Sequence, residues 1–499
     1  MKHLATLIVL ALWCTTCLGQ VNPFNSSRGN VGGNDGGAFN RGRAGNFNDY
    51  RDKLNAQYVS QTRQTWGGFN QFRGLVAPDR DDVPVTPVVM SEEEAQRGGG
   101  GGQRINIQGS VTPTINDGNR TQPIAPINEV PETNPRQLSF TFLGTNLQVR
   151  LPSGSALHLA AVGEDAVAEA WATMCDKRFN NIIVDCLRLR TSLKLCDWAY
   201  LLMLQNVGNA YAGNGTNEAV LLTAYIYSQS GYKMRLGEAG GKLYLLYASR
   251  HKLYNTPYFE QDGEQFYPLG KIEGRIRLCA AKYPKEQSLS LWVADNPATT
   301  YTPSPQRTLT SKRYPTMSVQ TSVNKNLMDF YSSYPSSEVG GNFMTRWAMY
   351  ARTPICKETR ETLYPQLQRH LQGLSPLEAT ERLLNWVQTA FVYEYDDKVW
   401  GGDRAFFPDE TLYYPYCDCE DRSIFFTRLV RDLLGLKCIL IYYPGHLAAA
   451  VCFAENVPGD YIETAGKRFT ICDPTYIGAP VGRTMPNMDN SGAKVIVLE

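Results

Sequence analysis

Residues 417–452 read CDCEDRSIFFTRLVRDLLGLKCILIYYPGHLAAAVC, and their pattern changes once, at Gly435. Before it, apolar residues at Ile424, Phe425, Leu429, Leu433 and Leu434 recur at helical spacing, and the glycine supplies a C-terminal stop. After it, KCILIYY, a Pro444-Gly445 turn and LAAAVCF read as strands, with RFTIC following downstream and ending at Asp473. A helix feeding an antiparallel sheet makes this an α+β unit. Cys419 opens the helix, where unsatisfied N–H groups and the helix dipole favour a thiolate and offer donors to an oxyanion. His446 opens the second strand and Asp473 closes the third, in the order nucleophile, base and base-orienter. Such chemistry needs these three types: the imidazole makes the thiolate, and the carboxylate fixes the imidazole's tautomer.

The three motifs CDCEDRS, YYPGHLAAAV and KRFTICDPTY resemble the transglutaminase-like branch of the papain-type cysteine hydrolases, in particular its bacterial cysteine peptidases. The resemblance covers roughly residues 375–480. It implies Cys419 as nucleophile, His446 as general base and acid, and Asp473 as orienter, with no metal or organic cofactor. Two positions depart from the family pattern: Cys417 stands where a Gly usually precedes the nucleophile, and Leu447-Ala448-Ala449 replaces an aromatic residue after the His. They leave open the bond acted on and the acyl acceptor.

Other readings of the same residues stay open. Cys417, Cys419, Cys438, Cys452, Cys472 and His446 could form a zinc cluster, although Cys-x-Cys is not the usual paired spacing. Cys438 and Cys452 on apolar strands read more simply as small buried hydrophobes. His158, His251 and His370 have no nucleophile motif near them.

The chain has 499 residues and a formal net charge of +1, which allows two or three domains and gives no reason to expect nucleic acid. A protein or peptide is the expected substrate. Residues 1–19 read as a signal peptide: Lys2 and His3, an apolar run from Leu4 to Trp13, and Gly19 before Gln20. No segment is long and apolar enough to span a bilayer, so the expectation is export to periplasm or medium, without a transmembrane segment and less simply with a lipid anchor on Cys17. Ten of the twelve cysteines follow the leader, which in an oxidising compartment invites disulfides.

Residues 20–135 are rich in Gly, Asn, Pro and Arg, with Gly98 to Gly102 in an unbroken row, and read as a disordered or loosely attached leader. Within it, residues 47–66 place Phe47, Tyr50, Leu54, Tyr58 and Trp66 at near-helical spacing, a marginal amphipathic helix suited to docking on this protein or a partner.

A faded copy of the C-terminal series lies in the middle of the chain. With Gly231 set on Gly435, GTNEAVLLTAYIYSQSGYKMRL lies over CEDRSIFFTRLVRDLLGLKCIL without a gap. Gly215 then stands for Cys419 and Lys242 for His446, and a small further shift puts Tyr267 at Asp473, so all three chemical positions are lost. Residues 136–275 thus read as a degenerate transglutaminase-like domain, 276–355 as a strand-rich connector and 356–499 as the catalytic domain. Ser375-Pro376-Leu377-Glu378 is a capping box opening a helix through Trp386 and Val387. Between Trp386 and Cys419 the second copy is longer by an aromatic-rich insertion, DDKVWGGDRAFFPDETLYYPY, whose aromatics either wall a substrate cleft or pack the loop onto its own domain. Trp386, Gln388 and Trp400 are the candidates for a second oxyanion donor. The function these features predict is an exported thiol hydrolase acting on amide or peptide bonds; the alternatives are acyl transfer from glutamine to an amine, or a non-catalytic scaffold that binds protein through the degenerate domain.

Overall fold

The computed structural model describes residues 39–76, 86–91, 93, 102–113, 121–152, 157–272 and 275–498. The expected signal peptide and the glycines 98–101 lie outside them. Among these residues, twelve α-helices and two six-stranded, predominantly antiparallel sheets make a mixed α+β fold.

The strand order of the two sheets is the same. Read across, the first runs Phe259–Gln261, Glu264–Pro268, Lys242–Ala248, Met234–Ala239, Ile276–Cys279 and Trp66–Phe69. The second runs Tyr461–Thr464, Lys467–Cys472, His446–Cys452, Lys437–Tyr443, Lys494–Val497 and Ser110–Val111. The central hairpins share one register under an offset of 204, since Met234 faces Tyr247 and Cys438 faces Val451. The next strand does not keep that offset: Tyr247 faces Tyr267 while Val451 faces Thr470. Tyr267 therefore lies over Thr470, and the residue over Asp473 is Gly270, which corrects the assignment of Tyr267 made from the sequence. A gap of unknown length between short motifs cannot be fixed by composition; the ladder fixes it.

In each half a helix covers the central strand. Asn217–Gln229 lies on Lys242–Ala248 and against Asp197–Ala212; Cys419–Leu434 lies on His446–Cys452 and against Pro376–Ala390. The alternation of a strand sorts the second sheet's side chains: Leu447, Ala449 and Val451 join the main core with the helix, and Ala448 and Ala450 turn to a separate cluster with Ile439, Ile441 and Ile471. The capping box at Ser375 is present, with the Ser375 hydroxyl accepting from the Glu378 N–H at 3.3 Å and the Glu378 carboxylate accepting from the Ser375 N–H at 2.9 Å. Gly435 ends its helix at φ 67°, the left-handed conformation a glycine adopts without strain.

The described parts of the 20–135 leader are folded onto both sheets, unlike the loose leader its composition suggests. Trp66–Phe69 pairs with Ile276–Cys279, and Ser110–Val111 pairs in parallel with Lys494–Val497. Most of the 47–66 segment lies in a longer helix, Phe39–Gln64, that buries Leu54 and Tyr58, while Trp66, expected on the same helix, begins the strand Trp66–Phe69. Its partner is this chain: Tyr58 stacks on Trp171 and Tyr283, and Arg51 donates to Gln229 at 3.0 Å and Asn180 at 2.6 Å. Strand Ile276–Cys279 extends the first unit past residue 275, and the connector beyond it holds a hairpin, Arg307–Thr310 with Ser318–Thr321, and two short helices. Among the described residues no helix is long and apolar enough to cross a membrane.

Candidate active site

His446 and Asp473 are brought together by the sheet. Their strands are neighbours, Ala449 facing Cys472, so the first residue of one and the residue just past the end of the other meet at one edge. Nε2 of His446 lies 2.8 Å from Oδ2 of Asp473, both side chains buried. The second carboxylate oxygen is held by the local turn, accepting from the N–H of Thr475 at 2.8 Å and of Tyr476 at 3.3 Å. With Nε2 donating to the carboxylate, Nδ1 carries the basic lone pair. It is buried and has no hydrogen-bond partner among the described residues.

Cys419 is the first residue of its helix, as the spacing predicts, and is buried. Its thiol donates to the Glu420 carboxylate at 3.3 Å. One turn along, Ser423 donates to the carbonyl of Leu447 at 2.8 Å, tying the Cys419 helix to the residue beside His446. Arg422 reaches the carbonyl of Pro474, beside Asp473, at 3.5 Å. The helix start and the His446–Asp473 pair are thereby laced together through backbone.

Buried and half-buried carboxyls crowd the helix start. Asp418, Glu420 and Asp421 precede the first helical turn or lie in it, and Asp396 and Asp403 come from the insertion. Arg346 pairs with Asp403 and Arg404 with Glu410 at 2.6 Å, which offsets part of this charge. Burial, then the neighbouring Asp396 and Glu420, holds the Asp421 carboxyl well above its ordinary range. Asp421 accepts from the N–H of Phe406 at 2.8 Å and of Asp418 at 3.2 Å, so it fastens the insertion to the helix.

The insertion's aromatics serve packing more than they wall a cleft. Phe406 and Phe407 are core residues; Phe407 stacks on Tyr331, and Trp400, Phe406 and Tyr414 surround the Arg404 guanidinium at 4.4 to 5.5 Å. Tyr416 and Val392 are exposed on the short parallel ladder leading to Cys417. Two candidate oxyanion donors are committed elsewhere: the Trp386 indole donates to Leu309 at 3.0 Å, and the Gln388 amide donates to the carbonyls of Asp473, Tyr476 and Ala479. Burial in tertiary contacts, invisible to spacing, removes them.

None of the ten described cysteines forms a disulfide, unlike the expectation from their number. The ladders explain this for three of them, since Cys438 faces Val451, Cys452 faces Lys437 and Cys472 faces Ala449. Among the described residues, no group of side chains close enough to share one ion contains two of these cysteines or His446, which leaves the zinc reading without a ligand set. His251 is a core histidine, its Nε2 accepting from Leu291 at 3.2 Å and burial pushing its pKa down to about 4.

At the corresponding corner of the first half, Gly215 is an exposed loop residue and Lys242 points to solvent. The Asn217 side chain bridges the backbone on both sides of Lys242, donating to Gly241 at 3.2 Å and accepting from Leu243 at 2.9 Å. Sequence reading missed Glu420, Arg422 and Ser423; the signal available was four consecutive polar residues, EDRS, in the first turn of a helix whose later turns are apolar. No family model matches the chain, and neither a curated protein nor a solved structure matches it.

Proposed function

We propose that the C-terminal half is a transglutaminase-like thiol hydrolase that cleaves amide or peptide bonds. The observation that carries the reading is the buried 2.8 Å contact between His446 and Asp473, on a sheet whose His446 strand is covered by the helix that Cys419 begins. His446 Nδ1 takes the Cys419 proton, and the thiolate forms a C–S bond with the carbonyl carbon. The tetrahedral oxyanion is met in part by the Cys419 N–H. As the C–N bond breaks, His446 returns the proton to the departing amine. Water then attacks the thioester with its proton passing to His446, the C–S bond breaks, and the thiol is restored.

The identical strand order of the two sheets, the shared hairpin register and the equivalent helices support an internal duplication, with residues 136–279 as the copy that has lost the chemistry. A second reading, a protein-binding scaffold, is favoured by one observation: Cys419, His446 and Asp473 are each no more than 4 % exposed. One experiment separates the readings. The full chain and Cys419→Ala are incubated with a protein substrate and a labelled primary amine. Peptide release by the first protein alone supports hydrolysis; amine incorporation outpacing release replaces it with acyl transfer. Silence in both, with Cys419→Ala still binding the substrate, leaves the scaffold.

A further inference from the structure

Arg422 is almost wholly buried, yet among the described residues it makes no ion pair. Its guanidinium donates to three carbonyls, Nη1 to Gln388 at 3.1 Å and Pro474 at 3.5 Å and Nη2 to Phe391 at 2.9 Å, and it also lies against the Cys417 thiol. One face lies over the Tyr393 ring at 5.3 Å. Burying a cation without a counter-ion is expensive, and an apolar side chain of similar volume would pack the same space at less cost.

The carbonyls it joins belong to the elements that set the triad. Gln388 and Phe391 lie at the end of helix Pro376–Ala390, Pro474 follows Asp473, and Arg422 itself is one turn into the Cys419 helix. The Gln388 side chain completes the junction. Its amide group donates to the carbonyls of Asp473 at 3.1 Å, Tyr476 at 2.8 Å and Ala479 at 3.1 Å, and its oxygen accepts from the Gly478 N–H at 3.1 Å. Both N–H donors of this amide, shared among three carbonyls, and its oxygen are spent on the turn that aims the Asp473 carboxylate.

We propose that Arg422 and Gln388 are positioning residues that clamp the nucleophile helix and the Asp473 turn to each other, fixing Cys419 against His446. This rests on the thiol-hydrolase reading. Under the 204 offset Arg422 falls on Glu218, which instead accepts from the Leu159 N–H at 3.0 Å. The residue two places after Trp198, as Gln388 is after Trp386, is Tyr200, bonded to Ser230 at 2.9 Å. The clamp is missing from the half in which the three chemical residues are missing.

The test measures iodoacetamide alkylation of Cys419 in the full chain from pH 5 to 9, with a thermal melt as a check on folding. Wild type, Arg422→Lys, Arg422→Met and Gln388→Met are compared. Arg422→Met and Gln388→Met are expected to slow alkylation at pH 7 at least tenfold and to move the pH profile toward that of Cys438. Arg422→Lys is expected to recover part of the rate. Should Arg422→Met fail to fold, Arg422→Lys and Gln388→Met carry the decision. A reactive wild type with unchanged profiles in the folded variants overturns the clamp alone. A wild type whose Cys419 reacts no faster than Cys438 overturns the hydrolase reading and the clamp with it.

Discussion

Oδ2 of Asp473 faces Nε2 of His446 at 2.8 Å, while Oδ1 of the same carboxylate is taken by two backbone N–H groups of its own turn. The carboxylate can thus turn neither oxygen elsewhere, and it holds the imidazole in the tautomer with Nδ1 free to accept a proton. Asp473→Asn should keep the fold and lower kcat by roughly 10²- to 10⁴-fold with KM little changed. Because the two act as a unit, His446→Ala combined with Asp473→Asn should be no slower than His446→Ala alone. Steady-state kinetics on a peptide substrate reads both; additive losses would mean that the pair does not act together.

The bond from the Cys419 thiol to the Glu420 carboxylate stabilises the protonated sulfur, because a carboxylate beside a thiol opposes its ionisation. Glu420→Gln removes that negative charge and keeps the volume. The variant should alkylate severalfold faster than wild type near pH 7, with the midpoint of its alkylation profile displaced downward. A profile that moves upward would show that Glu420 serves the thiolate in another way, through the buried Arg346 and its partner Asp403.

What the sequence made legible was local. The helix from Cys419, its stop at Gly435, the capping box at Ser375 and the two strands around Pro444-Gly445 each depend on residues within a few positions of one another. The roles of Arg422 and Gln388 were not legible, because their partners are carbonyls delivered by a turn more than fifty residues away for Arg422 and more than eighty for Gln388. A carbonyl has no residue type to recognise. The leader's strands escaped for a related reason: WGGF and SV are too short to carry a period, and they become strands only by pairing with sheet edges. Tyr267 was misplaced against Asp473 because register follows hydrogen bonding across the ladder and not the resemblance of two short strings.

Asp409 is fully buried, and burial raises its carboxyl from the ordinary 3.8 to about 7, against the hydrogen bonds it accepts from the Cys356 N–H. Between about pH 4 and pH 7 the native state holds this proton and the unfolded chain does not. The contribution of Asp409 to stability therefore falls as pH rises through that window and levels off above it. Asp409→Asn keeps an acceptor for Cys356 without the ionisation. It should match wild type near pH 4 and exceed it at pH 8 by up to a few kcal/mol, at about 1.4 kcal/mol per pH unit of displacement. Urea unfolding at the two pH values measures the difference; equal stabilities of the two proteins at pH 8 would refute it.

Gly231 and Gly435 follow the helices Asn217–Gln229 and Cys419–Leu434 and both have positive φ, 98° and 67°, but their surroundings differ. A Cβ on Gly435 would meet nothing within 4 Å, whereas one on Gly231 would lie 1.8 Å from the carbonyl oxygen of Gln122 in the leader. Gly435→Ala should cost only the strain of the left-handed backbone, about 1 kcal/mol. Gly231→Ala adds a collision with main chain, which cannot rotate away as a side chain can, and should cost about 3 kcal/mol or more unless residues near 122 lift off. Melting temperatures give the ranking, and limited proteolysis near residue 122 shows which of the two strains yields. Equal losses at the two glycines, with no new cleavage in Gly231→Ala, would mean that the leader does not rest on the helix end in solution.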